Sequence, residues 1–207
     1  MNRGFTLIEV LVTLVILTFG LLGIAGLMAK GQRASFEAFE RQQAISLASD
    51  MAERVRANRN QAVVYAAAAP TNRPVGLGSQ YGDLLAASTK DCGTFTCSTA
   101  ELAAYDVALW DGLLTGYSEA NVVGGARVGG IVNARGCIEE TANTSPLCPA
   151  PPSPSSPFTR ALRISVTWQG NENTVAPILS ICGQGAYPAD TKRRLAVLDL
   201  MVLQPCP

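Results

Sequence analysis

An uninterrupted apolar stretch near the N-terminus constrains the fold more than any other feature of the chain. No ionisable residue occurs in residues 10–29. An α-helix rises about 1.5 Å per residue, so about 20 apolar residues cross a hydrocarbon core of about 30 Å. The stretch therefore predicts a membrane-spanning helix.

One carboxylate lies at the start of this stretch. An acidic residue at the centre of a membrane helix costs about 2.5–3.5 kcal/mol, and less near the end of the helix. A secretory signal peptide has a shorter apolar region, of about 7–15 residues, and its small-residue cleavage site would fall within residues 25–29 here. The length of the stretch and Glu9 argue against that reading. An ordinary single-span anchor that merely tolerates Glu9 is a further alternative.

The first nine residues resemble the class III leader of type IV pilins and pseudopilins, through basic Arg3, then Gly4-Phe5, and the acidic Glu9 before the apolar stretch. The resemblance implies that a membrane aspartyl prepilin peptidase cuts between Gly4 and Phe5 on the cytoplasmic side. It also implies that Phe5 becomes the N-methylated terminus. The amine of one subunit would then neutralise Glu9 of another, so this carboxylate would dock subunits together.

The helical pattern continues after the apolar stretch. Residues 30–59 contain no proline, and Asp50 and Arg54 are four residues apart with the acid first. Apolar residues recur at three-and-four spacing at Ala44, Leu47, Ala48, Met51, Ala52 and Val55. We therefore predict one helix from about Phe5 to Asn58. Residues 34–44 and 48–58 resemble the corresponding part of minor pilins of the PilV type, also called type IV pilus modification proteins.

The composition excludes several kinds of chemistry. The chain has no histidine, which rules out Ser-His, Cys-His and His-zinc sites. The 16 basic and 16 acidic residues cancel, so net charge does not favour a polyanion. We accordingly expect no enzyme activity, no catalytic residue, no metal, no cofactor and no nucleic-acid partner.

Residues 61–130 read as a connecting region. A short helix is predicted over residues 100–110, capped by Ser98 or Thr99. Acidic residues outnumber basic ones here, which we interpret as a solvated face. A repeated Val-Gly-Gly unit in residues 122–130 favours a loop.

Residues 131–207 carry the strand signals. Residues 162–169 alternate between apolar and polar side chains, which predicts a half-buried strand. Residues 193–203 are apolar at nearly every position, which predicts a strand packed on both faces, and a shorter strand is predicted over residues 134–139. The proline-rich residues 145–157 predict an exposed loop.

Six cysteines in a chain addressed to the far side of a membrane predict disulfides in an oxidising compartment. Fifteen pairings are possible, and the sequence does not choose among them. The pairings favoured by position are Cys92 with Cys97, Cys137 with Cys148, and Cys182 with Cys206. Metal binding by Cys92 and Cys97 is the alternative for the first pair.

These features and the resemblance together predict an α+β fold of the type IV pilin kind, a long N-terminal helix packed on a small antiparallel sheet. The organisation is a leader at 1–4, an assembly half of the helix at 5–29, an amphipathic half at 30–60, a connecting region at 61–130 and a sheet region at 131–207.

The resemblance implies a minor type IV pilin that helps initiate or cap a pilus. The alternatives are a minor pseudopilin of a type II secretion system and a ligand-binding adhesin at the pilus tip. The implied partners are other minor and major pilins, prepilin peptidase and the inner-membrane assembly platform. The expected location is the bacterial inner membrane, crossed once with a cytoplasmic N-terminus and a periplasmic C-terminal domain, and then the extracellular pilus.

Overall fold

The computed structural model describes Gly4 and residues 6–117, 130–144 and 158–204. The proline-rich segment 145–157 and almost all of the Val-Gly-Gly repeat lie outside these residues. 3-10 turns at Arg59–Gln61 and Asp190–Lys192 accompany the helices and strands of the described residues. The helices and strands are α1 (Leu7–Ala57), α2 (Ala62–Ala68), α3 (Ser79–Leu85), α4 (Thr99–Thr115), β1 (Arg135–Thr144), β2 (Phe158–Gln169) and β3 (Arg193–Gln204).

The chain forms two units, Met1–Glu40 and Arg41–Pro207, and α1 contributes to both. In the first unit, the large apolar side chains of residues 7–28 are exposed on every side of the helix. By length and composition, α1 could cross a membrane. The prediction of one long N-terminal helix is confirmed, with its bounds at Leu7 and Ala57.

In the second unit, α1 buries one narrow face. The buried side chains of this face are small or flexible ones at the predicted helical spacing, namely Ala44, Ala48, Met51, Ala52 and Val55. Leu47 packs beside them as a partly buried residue. Three alanines on one face allow other elements to approach the helix closely, so α1 joins the core along its second half.

The sheet has three antiparallel strands in the order β1-β2-β3, as predicted. β1 is longer than predicted and carries an irregularity between Glu140 and Ala142. One face of the sheet lies in the core, and its members are Ile138 on β1, Leu162, Ile164, Val166 and Trp168 on β2, and Ala196, Leu200 and Val202 on β3. The α+β architecture predicted from the sequence is confirmed.

The burial of the two long strands is the reverse of the prediction. β2 is buried on both faces, since Ser165 and Thr167 are inaccessible although they point away from the core. Cys182 contacts the carbonyl of Ser165 and the Tyr187 hydroxyl bonds to Thr167, so the chain between β2 and β3 covers the polar face of β2. β3 is an edge strand that exposes apolar Met201 by 78%. An apolar run on an edge strand therefore does not imply burial of both faces.

The connecting region is more ordered than predicted. It contains α2 and α3, and α4 continues five residues beyond the predicted end at Trp110 to reach Thr115. Ser98 caps α4 through a capping box with Glu101, as one of the two predicted caps. The acidic residues of the region are not all solvated, because Asp106 and Asp111 are buried.

Trp110 occupies the centre of the core. Its side chain is inaccessible, and its indole Nε1 donates to the carbonyl of Leu47 at 3.0 Å. A methyl group at Gly136 of β1 would lie 2.5 Å from the Trp110 ring. Glycine is therefore the residue that lets β1 approach the indole.

Candidate assembly site

The candidate assembly site lies at the N-terminal end of α1. Glu9 is in the first helical turn, and the carbonyl of Thr6 accepts hydrogen bonds from the amides of Glu9 at 3.0 Å and Val10 at 3.3 Å. The free amides of a first turn carry positive partial charge, which favours a carboxylate there. Gly4 is exposed, and Phe5 lies outside the described residues.

The Glu9 side chain is exposed, between apolar neighbours that are exposed as well. Within residues 6–117, 130–144 and 158–204, no Lys or Arg forms an ion pair with it. A carboxylate in this position is accessible to a cation from outside the chain.

The polar groups of the apolar stretch are satisfied within the helix. Thr13 donates its hydroxyl to the carbonyl of Val10 at 2.8 Å, and Thr18 donates to Val15 at 2.8 Å. Internal bonding of this kind is what a bilayer demands, because lipid offers no hydrogen-bond partner. The stretch is therefore compatible with a membrane over its whole length.

A buried polar network joins α1, α2 and α4. Asp106 accepts from the Arg54 guanidinium at 2.9 Å and from the Tyr65 hydroxyl at 2.5 Å. Burial, together with this hydrogen bond, raises the pKa of Tyr65 well above its ordinary value. Burial alone would lower the pKa of Arg54, but hydrogen bonds to Asp50 and Asp106 outweigh it and raise that pKa. Perturbed pKa values also mark catalytic sites, but here both carboxylate oxygens of Asp106 are engaged within the chain.

Asp111 forms a second buried centre, on the same helix as Asp106. One carboxylate oxygen accepts from the amides of Gly76 at 2.5 Å, Leu77 at 3.0 Å and Gly78 at 3.1 Å. The other accepts from the amide of Tyr81 at 3.1 Å. This carboxylate fixes the turn that leads into α3. Sequence reasoning missed it, although an aspartate within an apolar helical segment was the available signal.

The structure pairs the cysteines differently from the prediction. Cys92 and Cys97 form a bridge, as favoured by their proximity. Cys137 bonds to Cys182 and not to Cys148, so the pairing of Cys182 with Cys206 is also wrong. The register explains the difference, because Cys137 lies opposite Ser165, whose carbonyl Cys182 contacts. Cys148 and Cys206 lie outside the described residues.

Among the described residues, no group of three or more cysteine or acidic side chains is placed to hold a metal ion. The sites that stand out in the described part of the chain are the exposed Glu9 at the start of α1, two buried carboxylate centres and a disulfide that joins β1 to the chain between β2 and β3. Each of the last three holds elements of the globular unit together.

Two family models match the chain. The prokaryotic N-terminal methylation motif matches residues 1–25, and the family described as type IV pilin Tt1218 matches residues 27–108. No curated protein and no solved structure matches the chain. The pilin match begins inside α1 and ends inside α4. Residues 1–25 are thus similar to a prepilin-type methylation motif, and residues 27–108 are similar to a type IV pilin family.

Proposed function

We propose that the chain is a minor type IV pilin of the PilV type, which helps initiate or cap a pilus after its leader is removed. The observation that carries the proposal is the match of residues 1–25 to the methylation motif, in a chain whose Glu9 precedes an exposed apolar length of α1, residues 10–29. The exposed apolar side chains of this length of α1 require other helices or lipid around them. Assembly through this helix is the function that such a segment serves.

In this proposal, prepilin peptidase cuts between Gly4 and Phe5, and the new Phe5 amine becomes methylated. In a single subunit, a bilayer disfavours the ionised Glu9 carboxylate, although less than it would at the centre of the span. In a bundle of like helices, the Phe5 amine of a neighbour approaches that carboxylate, and the low dielectric strengthens their attraction. Assembly thereby reduces the free-energy penalty of the ionised Glu9 carboxylate in the bilayer.

The proposed partners are other minor and major pilins, together with the peptidase and the inner-membrane assembly platform. The chain would first cross the inner membrane once, with the N-terminus in the cytoplasm and the globular unit in the periplasm. It would then enter the extracellular pilus.

Processing is tested by mass spectrometry of the chain from native membranes and sheared pili. The expected mature chain begins at methylated Phe5. An intact Met1, or a start beyond Ala29, would contradict the proposal.

Docking is tested with Glu9→Ala, which removes the carboxylate and makes the helix more apolar. We expect normal cleavage after Gly4 and normal membrane insertion, but strong loss from sheared pili. Thr13→Ala is the matched control, since it also removes a polar group of α1 that bonds only within its own turn. If pili contained equal amounts of the Glu9→Ala and Thr13→Ala subunits, this result would show that Glu9 does not dock subunits.

A further inference from the structure

Two basic residues follow the apolar stretch of α1. Lys30 comes directly after residues 10–29, and Arg33 lies three residues further along the same helix. Side chains that are three residues apart in a helix are neighbours on its surface. Lys30 and Arg33, which we call the basic pair, therefore place two positive charges side by side where the apolar stretch ends.

No carboxylate in the described part of the chain forms a salt bridge with the basic pair, and both side chains are exposed. Glu37 is the nearest acidic residue after the pair, four residues beyond Arg33, and no salt bridge joins it to either cation. The nearest acidic residue before the pair is Glu9. The basic pair is therefore accessible to an anion from outside the chain.

Helical spacing puts the basic pair at the level of lipid headgroups. Between Glu9 and Lys30, α1 rises by about 32 Å, and the hydrocarbon core of a bilayer is about 30 Å thick. Lys30 thus reaches one boundary of the core when Glu9 is at the other. Arg33 is about 4.5 Å further along the helix, within a headgroup layer that adds about 5–7 Å on each side. Both charged ends of the span reach a polar layer at the same time.

We propose that the basic pair binds the phosphate of an anionic phospholipid, in the leaflet where the apolar stretch of α1 ends. This inference rests on the membrane crossing in the proposed function. The Arg33 guanidinium can donate two parallel hydrogen bonds to phosphate oxygens, and the Lys30 ammonium adds a compact second charge. A carboxylate of a neighbouring chain is present only after assembly. Lipid is therefore the anion that a single subunit meets in the bilayer.

The charge of the headgroup decides which lipid the basic pair prefers. In phosphatidylcholine a cationic choline group offsets the phosphate, whereas phosphatidylglycerol keeps a net negative charge. Each lysine or arginine near a membrane surface strengthens binding to anionic lipid by about fivefold. The basic pair should therefore prefer phosphatidylglycerol over phosphatidylcholine by about 25-fold when the two contributions add.

The test uses the full-length chain, one copy per phosphatidylcholine nanodisc, with a trace of spin-labelled phosphatidylglycerol or spin-labelled phosphatidylcholine. Electron paramagnetic resonance measures the fraction of each label that the protein immobilises. We expect the unaltered chain to prefer phosphatidylglycerol, and the double variant Lys30→Gln with Arg33→Gln to lose that preference. Exchange of the two cations, Lys30→Arg with Arg33→Lys, keeps both charges and should keep the preference.

The matched control is the double variant Arg41→Gln with Arg59→Gln, which removes the same charge. Both arginines are exposed and form no salt bridge among the described residues, and Arg41 lies more than two turns of α1 beyond Arg33. The control should bind phosphatidylglycerol as the unaltered chain does.

Two results would overturn the inference alone. One is an unaltered chain that inserts into the bilayer but shows no preference for phosphatidylglycerol, as expected if the basic pair serves only a carboxylate of another chain. The other is an equal preference in the control and in the variant that lacks Lys30 and Arg33. Failure of the unaltered chain to insert into the nanodisc would instead refute the membrane crossing of the proposed function.

Discussion

α1 is one continuous helix, but its two lengths differ in burial. The first length is exposed, whereas the second buries one face in the core of its unit. Residues 7–28 expose large side chains on all sides, for example Leu22 by 74% and Phe19 by 72%. Residues 44–55 bury a stripe of alanines, a methionine and a valine. The first length is apolar and exposed, whereas the second is amphipathic and is stabilised by tertiary packing.

The comparison shows that hydrophobicity and burial are separate properties. A protein core selects small side chains where elements must approach closely, so Ala44, Ala48 and Ala52 form the buried face. An external apolar medium, whether lipid or sister helices, accepts large side chains in every direction. Substitutions in the two lengths should accordingly affect different measurements, the stability of the fold in one case and assembly in the other.

The largest effect on stability is expected for Trp110→Ala in the globular unit. Loss of a buried tryptophan costs about 3–5 kcal/mol, and the bond to the Leu47 carbonyl is lost too. Chemical denaturation of the full chain in detergent micelles measures the change in free energy of unfolding. Leu17→Ala, in the exposed length of α1, should change it by less than about 0.5 kcal/mol. If both variants lost comparable free energy of unfolding, the contrast between the exposed length of α1 and the core would be wrong.

The second effect concerns the disulfide bridge between Cys137 of β1 and Cys182. In the chain-entropy treatment, a bridge with a sequence separation of 45 contributes about 4 kcal/mol, and one with a separation of 5 about 2 kcal/mol. Replacing both Cys137 and Cys182 by serine should therefore lower the melting temperature more than replacing Cys92 and Cys97. Peptide mapping without reduction checks the pairing itself. A peptide that joins Cys137 to Cys148 would contradict the structure.

The third effect tests whether Asp111 fixes the turn before α3. Asp111→Asn replaces the carboxylate oxygen that accepts from the Tyr81 amide by an NH2 group, which cannot accept that hydrogen bond. This change should lower the free energy of unfolding by about 1–3 kcal/mol. Amide hydrogen exchange should quicken first at Gly76, Leu77, Gly78 and Tyr81. Asp83→Asn makes the same chemical change at an exposed position and should have little effect. Unchanged exchange in Asp111→Asn would show that the carboxylate does not hold the turn.

The smallest effect is a pH dependence at the ion pair between Arg193 and Asp190. A hydrogen bond from Arg193 lowers the pKa of Asp190 below its ordinary value of 3.8. The resulting stabilisation is fully present only above that ordinary pKa, which the unfolded chain has. It is lost as the pH falls through the lower folded pKa. Thermal unfolding of Asp190→Asn should therefore show a shallower loss of stability below about pH 4 than the unaltered chain does. If both proteins lost stability equally as the pH fell below about 4, this contribution would be excluded.

The features that the sequence determines are those carried by local pattern. The long helix, its buried alanine stripe, the Ser98 cap, the three strands and the short bridge between Cys92 and Cys97 all depend on residues near one another in the chain. Each was predicted because helical period, strand alternation and capping act over a few residues. The match to the methylation motif belongs with them, since Gly4, Phe5, Glu9 and the apolar stretch after them can be recognised without any tertiary contact.

Tertiary structure alone decided the rest. Asp106 and Asp111 looked like solvated acids, but groups from distant parts of the chain pair with them and make their burial tolerable. Cys137 met Cys182 because antiparallel register sets β1 against β2 and the following segment folds back over that pair. β2 became buried on both faces and β3 did not, since the difference depends on which strand is central. Register and strand order are long-range properties, and no local spacing encodes them.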